Sequence, residues 1–495
     1  MGVVARIGKL GAPLAAFGLG ALLSLALAPW HHLWGVPLAV SGAAWLYLRC
    51  RGARPAALIG WALGLGYFTF GLSWIIEPFQ IDAERYAWMA PFALIFLAAG
   101  LALFWGAAFG LAAKLGRGRT SLLLLCTCWS LAEFARAYVL TGFPWAGFGQ
   151  FWIETRAVGL LPWIGPHGLA LLTLLAFAPL SQIGHRRLFA LAPLAASALL
   201  VLALPEPPEA ALSDKQVRLV QPNAPQAEKW HPQKRWVFVR RAVELSAAPG
   251  DPDLVIWPET TLPLLLNDAG ATLAQIAQAT GGVPLLTGIQ REEAGRYYNS
   301  AILTDGRGAL RQTYDKAHLV PFGEYVPFGD FMARFGIHGF ASQAGAGYSA
   351  GPGGQLLDLP LGRALPLICY EAVFPQDVNA AKARPDMLVQ ITNDAWFGTR
   401  SGPYQHLVQA RMRAAEQGLS MLRAANTGIT AIIDPYGRVL QSLPLGQSGA
   451  LDGALPLSLP PTFYSKSGDW PVFLFCLALL LALGLRQGRN MADRS

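Results

Sequence analysis

Residues 87–113 read AWMAPFALIFLAAGLALFWGAAFGLAA, a stretch without one charged side chain. It is longer than the roughly 17–25 residues a helix needs to cross the hydrocarbon core of a bilayer. Working outward, similar runs occupy about 12–29, 33–48, 56–76, 120–140, 160–183 and 188–204, and one more, at 470–485, closes the chain. Any single run could be a buried helix of a large soluble protein. Eight of them, with so few internal charges, predict a polytopic α-helical membrane domain of about eight transmembrane helices. The whole composition agrees. Of 495 residues, 53% are hydrophobic and 14% charged, against about 25% charged in soluble globular chains. That deficit disfavours a purely soluble enzyme and a disordered chain, and five Cys disfavour a small disulfide scaffold.

The formal charge of +8 could point to nucleic acid, so its placement matters. Arg6 and Lys9 precede the first run, and Arg49, Arg51 and Arg54 follow the second. Lys114, Arg117 and Arg119 follow the fourth, Arg186 and Arg187 the sixth, and Arg486, Arg489 and Arg494 the last. The intervening short loops hold little beyond Arg85 and Arg156. Basic residues recur at every second turn, as cytoplasmic loops require. The charge is therefore a topology signal, and no nucleic-acid partner is expected. Both termini are predicted to be cytoplasmic, with the segment between the seventh and eighth runs outside. Trp30, His31 and His32 follow the first run without a clear small-residue cleavage site, so it is expected to stay as an anchor.

Residues from about 214 to 462 hold most of the acidic side chains and alternate short apolar runs with amphipathic stretches. The expected strands are Val217–Gln221, Leu254–Trp257, Pro284–Ile289, Ser300–Thr304, Pro366–Tyr370, Met387–Thr392 and Thr430–Asp434, with helices at about 232–247, 268–280 and 404–418. Strands alternating with helices suggest one layered α/β domain. Cys50, Cys126, Cys128 and Cys476 lie in or beside apolar runs, leaving Cys369 as the outer segment's one cysteine. A lone thiol could simply fill a core. No phosphate-binding loop, dinucleotide fingerprint or zinc pattern is evident, and no metal or cofactor is expected.

Three segments each end an apolar strand with a reactive group: Val255-Ile256-Trp257-Pro258-Glu259, the stretch from Tyr314-Asp315-Lys316 to Glu324, and Leu367-Ile368-Cys369-Tyr370-Glu371. Their chemistry is complementary. A thiol must become a thiolate to attack a carbonyl. A carboxylate in an apolar site can take its proton. An ammonium can stabilise the tetrahedral oxyanion, helped by a backbone N–H beside the nucleophile. Spacing alone does not bring the three together, although strand ends of an open α/β sheet meet at one edge.

WPET (257–260), YDKAHLVPFGEYVP (314–327), ICYE (368–371) and ITNDAWFG (391–398) resemble the signature segments of the nitrilase superfamily. KAHLVPFGEYVP and CYE, on an outer domain flanked by seven helices and one, resemble its membrane-embedded apolipoprotein N-acyltransferase family over nearly the whole chain. The resemblance implies an α/β nitrilase-like αββα sandwich with Glu259 as general base, Lys316 as oxyanion stabiliser and Cys369 as nucleophile. It implies supporting roles for Trp230, within VQPNAPQAEKW (220–230), and for Asn299, Glu324, Tyr370 and Glu371.

Taken singly, each residue has a plainer reading. Glu259 could begin a helix, Lys316 could be solvated, Glu324 could be a surface charge, and Tyr370 and Trp230 could be packing aromatics. His318 reads as structural or exposed, and Asn393 and Asp394 as turn residues. The implied activity is a ping-pong transfer. Cys369 takes an acyl chain from a phospholipid as a thioester, and the α-amine of a diacylglyceryl-cysteine at an apolipoprotein's N-terminus then receives it as an amide. The implied organisation is a membrane domain at 1–213 with seven helices, an extracytoplasmic catalytic domain at 214–462, and a helix with a cytoplasmic tail at 463–495. The implied setting is a bacterial inner membrane, with the catalytic domain in the periplasm.

Two rival functions stand beside this one. A membrane-tethered amidase could employ the same triad, and a transporter could use Glu133 and Arg136 within one run as a polar site. No inverted repeat supports the transporter. The glycine-rich stretch Phe335–Gly354 predicts a mobile loop in which Phe335, Ile337 and Phe340 touch the membrane. The aromatics from Phe143 to Trp152, and Trp470, predict an interfacial belt.

Overall fold

Each apolar run lies on a helix in the computed structural model, which describes residues 2–116, 118, 120–327 and 347–492. The helices are Gly2–Ser24, Gly35–Leu48, Ala53–Gly71, Ala90–Leu115, Ser121–Tyr138, Leu161–Phe177, Arg187–Leu202 and Trp470–Ala492. They belong to one compact unit, Met1–Pro207 with Ser467–Ser495. Small residues let them approach closely, the way apolar helices associate in lipid. A Cβ on Gly20 would stand 1.9 Å from the Leu63 carbonyl oxygen, and one on Gly66 would stand 2.1 Å from that of Phe17.

By length and composition, two helical stretches among the described residues suffice to cross a membrane, Ala83–Leu115 and Arg156–Gln182. A pair bent by 46°, Ala53–Gly71 with Ser73–Gln80, would make a third. Gly11–Ser24, Gly35–Leu48, Arg187–Leu202 and Trp470–Leu485 are apolar but shorter. The eight apolar runs are thus helical, and two or three of the helical stretches, not eight, meet the length and composition of a span among the described residues.

One sequence expectation and one rival reading fail inside this unit. Trp145, Phe148 and Phe151 do not form an interfacial belt, because they are fully buried. They pack with Tyr67, Trp74, Trp105 and Trp129 in one aromatic core. Trp470, in contrast, is exposed. Glu133 and Arg136 are not an open polar site. They pair at 2.6 Å, with Trp105 Nε1 donating to Glu133 Oε1 at 2.7 Å and Arg136 Nη1 donating to the Trp145 carbonyl at 2.7 Å. A buried pair needs such further partners to offset its desolvation.

The second unit, Pro208–Lys466, holds twelve strands among the described residues. They are β1 Leu212–Gln221, β2 Leu254–Ile256, β3 Leu285–Glu293, β4 Arg296–Thr304, β5 Leu310–Asp315 and β6 Leu357–Leu359, then β7 Gly362–Ile368, β8 Met387–Thr392, β9 Met421–Ala425, β10 Thr430–Ile433, β11 Val439–Leu443 and β12 Gly449–Pro456. Two six-stranded sheets result, ordered β12-β1-β2-β3-β4-β5 and β11-β10-β9-β8-β7-β6. Each has three parallel strands at its heart, β1-β2-β3 and β7-β8-β9, with antiparallel neighbours.

The sheets face one another, and a Cβ on Gly453 would meet Ile432 Cδ1 across the gap. Their outer faces carry helices. Val239 and Ala242 of helix Arg235–Ser246 and Leu273 and Ile276 of helix Gly270–Ala279 pack on Val220, Val255 and Leu285. Ala410 and Ala414 of helix Gly402–Gln417 pack on Leu365, Leu388 and Met421. Burial on both faces explains why β8 and β9 are buried throughout. The arrangement is an αββα sandwich.

The sequence reading misses β5, β6, β9, β11 and β12. Most are edge strands with polar or small residues, and β9 carries a buried Arg423 that breaks its apolar pattern. The expected strand Pro366–Tyr370 ends at Ile368. Cys369 instead opens a short 3₁₀ turn, Cys369–Val373, with φ of +53°.

Candidate active site

The parallel strands deliver their reactive residues just past their carboxyl ends, the edge at which open α/β sheets build sites. Glu259 follows β2, Cys369 follows β7, and Asn393 and Asp394 follow β8. Lys316 follows β5, where its backbone N–H donates to the Asn299 carbonyl at 2.9 Å and so extends the β4–β5 ladder. Asn299 and Lys316 are thereby fixed side by side.

Glu259, Lys316, Glu324 and Asn299 form one buried cluster. Lys316 Nζ donates to Glu324 Oε1 at 2.9 Å and lies 2.8 Å from Oε2 and 3.7 Å from Glu259 Oε1. Asn299 Nδ2 bridges the carboxylates, donating to Glu259 Oε1 at 2.7 Å and to Glu324 Oε1 at 3.0 Å. The Asn393 N–H donates to Glu259 Oε2 at 2.9 Å, and the Val320 N–H to Glu324 Oε2 at 2.8 Å. Burial alone would strip the Lys316 ammonium of its proton. The Glu324 and Glu259 carboxylates outweigh it and hold that proton above the usual lysine range.

Cys369 faces both charges. Burial, then the Glu259 carboxylate, push its thiol well above the usual cysteine range, against the pull of Lys316. The resting group is a thiol, and a thiol must pass its proton to an acceptor before it can act as a nucleophile. A positive φ on a non-glycine residue costs about 1–3 kcal/mol and persists where the surroundings enforce it. Here they do. The Cys369 carbonyl accepts from Gln390 Nε2 at 3.1 Å and lies 3.0 Å from His406 Nε2. His406 Nδ1 lies 2.9 Å from Asp394 Oδ1, and Arg423 Nη2 donates to Asp394 Oδ2 at 2.5 Å. Burial would raise the Asp394 carboxyl, but Arg423 and His406 hold it down at about 2. Burial keeps His406 below its ordinary range.

Glu371 ties two segments together. It accepts from Tyr314 Oη at 2.8 Å, Ala317 N at 2.8 Å, His318 N at 3.3 Å and Ile368 N at 2.7 Å. Burial raises its carboxyl to about 7. It links the Lys316 loop to the Cys369 turn. Tyr370 packs edge-on against Phe374, with ring centroids 4.8 Å apart, as its packing reading expects. His318 is structural, with Nδ1 2.8 Å from Asp377 Oδ2 and its ring stacked on Phe374. Trp230 is half-buried, its ring centroid 5.9 Å from Lys229 Nζ. Phe335, Ile337 and Phe340, the expected membrane-touching loop, lie outside the described residues.

Sequence reasoning missed Lys229, which points into the site where Trp230 was expected to act. Its Nζ donates to the Glu259 carbonyl and to Thr260 Oγ1, each at 2.9 Å. It also missed the role of Asn393, read as a turn residue, and the His406–Asp394–Arg423 chain behind Cys369. The available signal for Asn393 was its place directly after an apolar strand. The helical and strand positions of His406 and Arg423 gave none.

The chain resembles known proteins along most of its length. Residues 19–178 match the model for the apolipoprotein N-acyltransferase N-terminal domain, and residues 216–459 match that for carbon-nitrogen hydrolase. An apolipoprotein N-acyltransferase of Bradyrhizobium diazoefficiens is 39% identical over 96% of this chain and 95% of its own. One of Rhodopseudomonas palustris is 37% identical over 94% of each chain. A solved amidase from Nesterenkonia sp. aligns with 53% of this chain and 96% of its own at 20% identity, with a TM-score of 0.38. Two domain matches in order, and relatives alike from end to end, establish that the chain belongs to the apolipoprotein N-acyltransferase family.

Proposed function

We propose that the protein moves an acyl chain from a phospholipid to the N-terminal α-amine of a diacylglyceryl-cysteine on an apolipoprotein, through a thioester on Cys369. The observation that carries the reading is the convergence of a buried thiol with Glu259 and Lys316, the two carboxylate–ammonium partners lying 3.7 Å apart. In the first half-reaction Glu259 takes the thiol proton as sulfur bonds to the ester carbonyl carbon. Lys316 stabilises the oxyanion. The bond from the carbonyl carbon to the glycerol oxygen breaks, that oxygen takes the proton back from Glu259, and a lysophospholipid departs. In the second half-reaction the amine attacks the thioester carbonyl and Glu259 accepts the amine proton. The C–S bond breaks, an amide forms, and the thiolate recovers the proton. Splitting the transfer lowers each barrier, and a buried site keeps water from the thioester.

Both substrates are bilayer lipids, and the helical unit suits them. It exposes apolar side chains such as Phe96, 72% accessible, and Leu188, 88% accessible. Large apolar side chains exposed in such number belong against lipid or a partner. On this reading all eight apolar helices span or enter the inner membrane, with both termini cytoplasmic. Residues 1–213 and 463–495 form the membrane part, and 214–462 form a periplasmic catalytic domain. Glu259, Lys316 and Cys369 act chemically. Asn299, Glu324, Tyr370 and Glu371 support them, and Trp230 lines the approach.

The test uses phospholipid micelles and a synthetic diacylglyceryl-cysteine peptide. The parent protein is expected to give the N-acylated peptide with release of lysophospholipid, and Cys369→Ala neither product. Peptide acylation by Cys369→Ala at the parent's rate would overturn the proposal.

A further inference from the structure

Lys229 ends the short helix Gln226–Lys229 and is 5% exposed, yet among the described residues it makes no ion pair with a carboxylate. A buried ammonium without a partner is costly, so its surroundings carry the explanation. Two of its three N–H groups donate, one to the Glu259 carbonyl and one to Thr260 Oγ1. Thr260 has φ of +45°, a strained value for a β-branched residue. The other restraints on this turn act on its flanks. Thr261 N donates to the Gly288 carbonyl at 3.0 Å, Gly288 N to the Pro258 carbonyl at 3.1 Å, and Thr261 Oγ1 to the Pro258 carbonyl at 2.8 Å. Lys229 alone braces the Glu259–Thr260 peptide by a side chain from another element, among the described residues.

Its charge also enters the balance of the site. Glu259 and Glu324 supply two negative charges, and Lys316 and Lys229 two positive ones. Moving the proton from Cys369 to Glu259 keeps that sum at zero. Lys229 acts first on the Glu259 carboxylate and then on Cys369, so without its charge both states carry a net negative charge in a buried site. The charged and titratable groups facing Lys229 are Glu259, past β2, and Cys369, past β7, with the Trp230 ring 5.9 Å away on its own element.

We propose that Lys229 is a positioning residue that holds the strained Glu259–Thr260 turn in register and neutralises the buried negative charge of the cluster during acylation. The proposal rests on the Glu259–Lys316–Cys369 reading above. Burial lowers the Lys229 ammonium to about 8, so its charge is present at pH 7 and lost above that value.

The test follows acyl-enzyme formation alone, because the acceptor amine titrates in the same range. The full chain is mixed with micelles holding phosphatidylethanolamine and phosphatidylglycerol. The rate of mass gain on the Cys369 peptide is read from about pH 6 to about pH 9, the charged fraction staying near one up to about pH 7 and falling toward about one tenth at pH 9. The parent is expected to lose rate above pH 8, by about tenfold at pH 9. Lys229→Met and Lys229→Gln are expected to acylate at least about tenfold more slowly at pH 7 and to lack the alkaline fall. Should Lys229→Met fail to fold, Lys229→Gln, which keeps a donor for the Glu259 carbonyl, carries the measurement. Lys234→Met, at an exposed pair with Glu228, is expected to behave as the parent. Variants that keep the parent's rate, or that are slowed but keep its alkaline fall, would overturn the proposal. A parent that never acquires an acyl group on Cys369 would instead overturn the reading of the triad on which it rests.

Discussion

Replacing Glu324 by Gln keeps the shape of the side chain and removes its charge. Three hydrogen bonds converge on this carboxylate, from Lys316 Nζ and Asn299 Nδ2 to Oε1 and from Val320 N to Oε2, and Lys316 Nζ also lies 2.8 Å from Oε2. An amide offers one oxygen and one N–H₂, so one side of the site would set donor against donor. Lys316 would then stay buried with Glu259, 3.7 Å away, as its remaining counter-charge. Breaking a buried pair in this way costs about 3–5 kcal/mol. For a domain of this size that is a melting shift of roughly 6–20 °C, at about 2–4 °C per kcal/mol. Lys316 would also draw toward Glu259 and weaken it as a base. General-base catalysis is worth about 10²–10⁴ in rate, and loss of part of it predicts kcat down by about a hundredfold. Thermal melts in detergent and acyl transfer to a lipopeptide would be measured together. A variant with the parent's melting temperature and a rate within about twofold would refute the view that Glu324 holds Lys316 for the chemistry.

Three further outcomes follow from other contacts. Asp394 is depressed from 3.8 to about 2, so it stabilises the fold above its unfolded value and this is lost as pH falls through about 4 to 2, roughly 2 kcal/mol in all. Asp394→Asn should therefore be less stable at pH 7 and show a shallower acid limb in pH-dependent melts, and parallel limbs would count against it. Gly288→Ala would put a Cβ 2.3 Å from Thr260 N and 2.6 Å from Glu259 Cα, displacing the Glu259 turn, so kcat should fall by about a hundredfold with the fold retained by circular dichroism. Arg136→Leu should strand the buried Glu133 and lower stability by about 3–5 kcal/mol, read as a lower melting temperature, and an unchanged one would refute the internal pairing.

The apolar runs were legible because helix length and absence of charge are one-dimensional signals. The parallel strands β2, β3, β7 and β8 were legible for the same reason, being short apolar stretches between turn residues. What the sequence hid depends on three dimensions. The aromatics from Trp145 to Phe151 read as a belt because an interfacial and a buried aromatic share one composition, and only their packing around Tyr67 and Trp105 separates them. Lys229 drew no reading at all, because lysines are rarely buried and its partner is a backbone carbonyl thirty residues away. Cys369 read as the end of a strand, since a left-handed φ on a non-glycine residue leaves no mark in the sequence. The network from Arg423 through Asp394 and His406 to the Cys369 carbonyl joins a strand, a turn and a helix, and its members follow no spacing rule.

The most direct test of the account is intact-protein mass after incubation with phospholipid and no acceptor, on the parent and on Cys369→Ala. The account predicts a gain of one acyl group on the parent, removed by hydroxylamine, discharged by a diacylglyceryl-cysteine peptide, and absent from the variant. Full acyl transfer by Cys369→Ala, or an adduct that persists on it, would contradict the account.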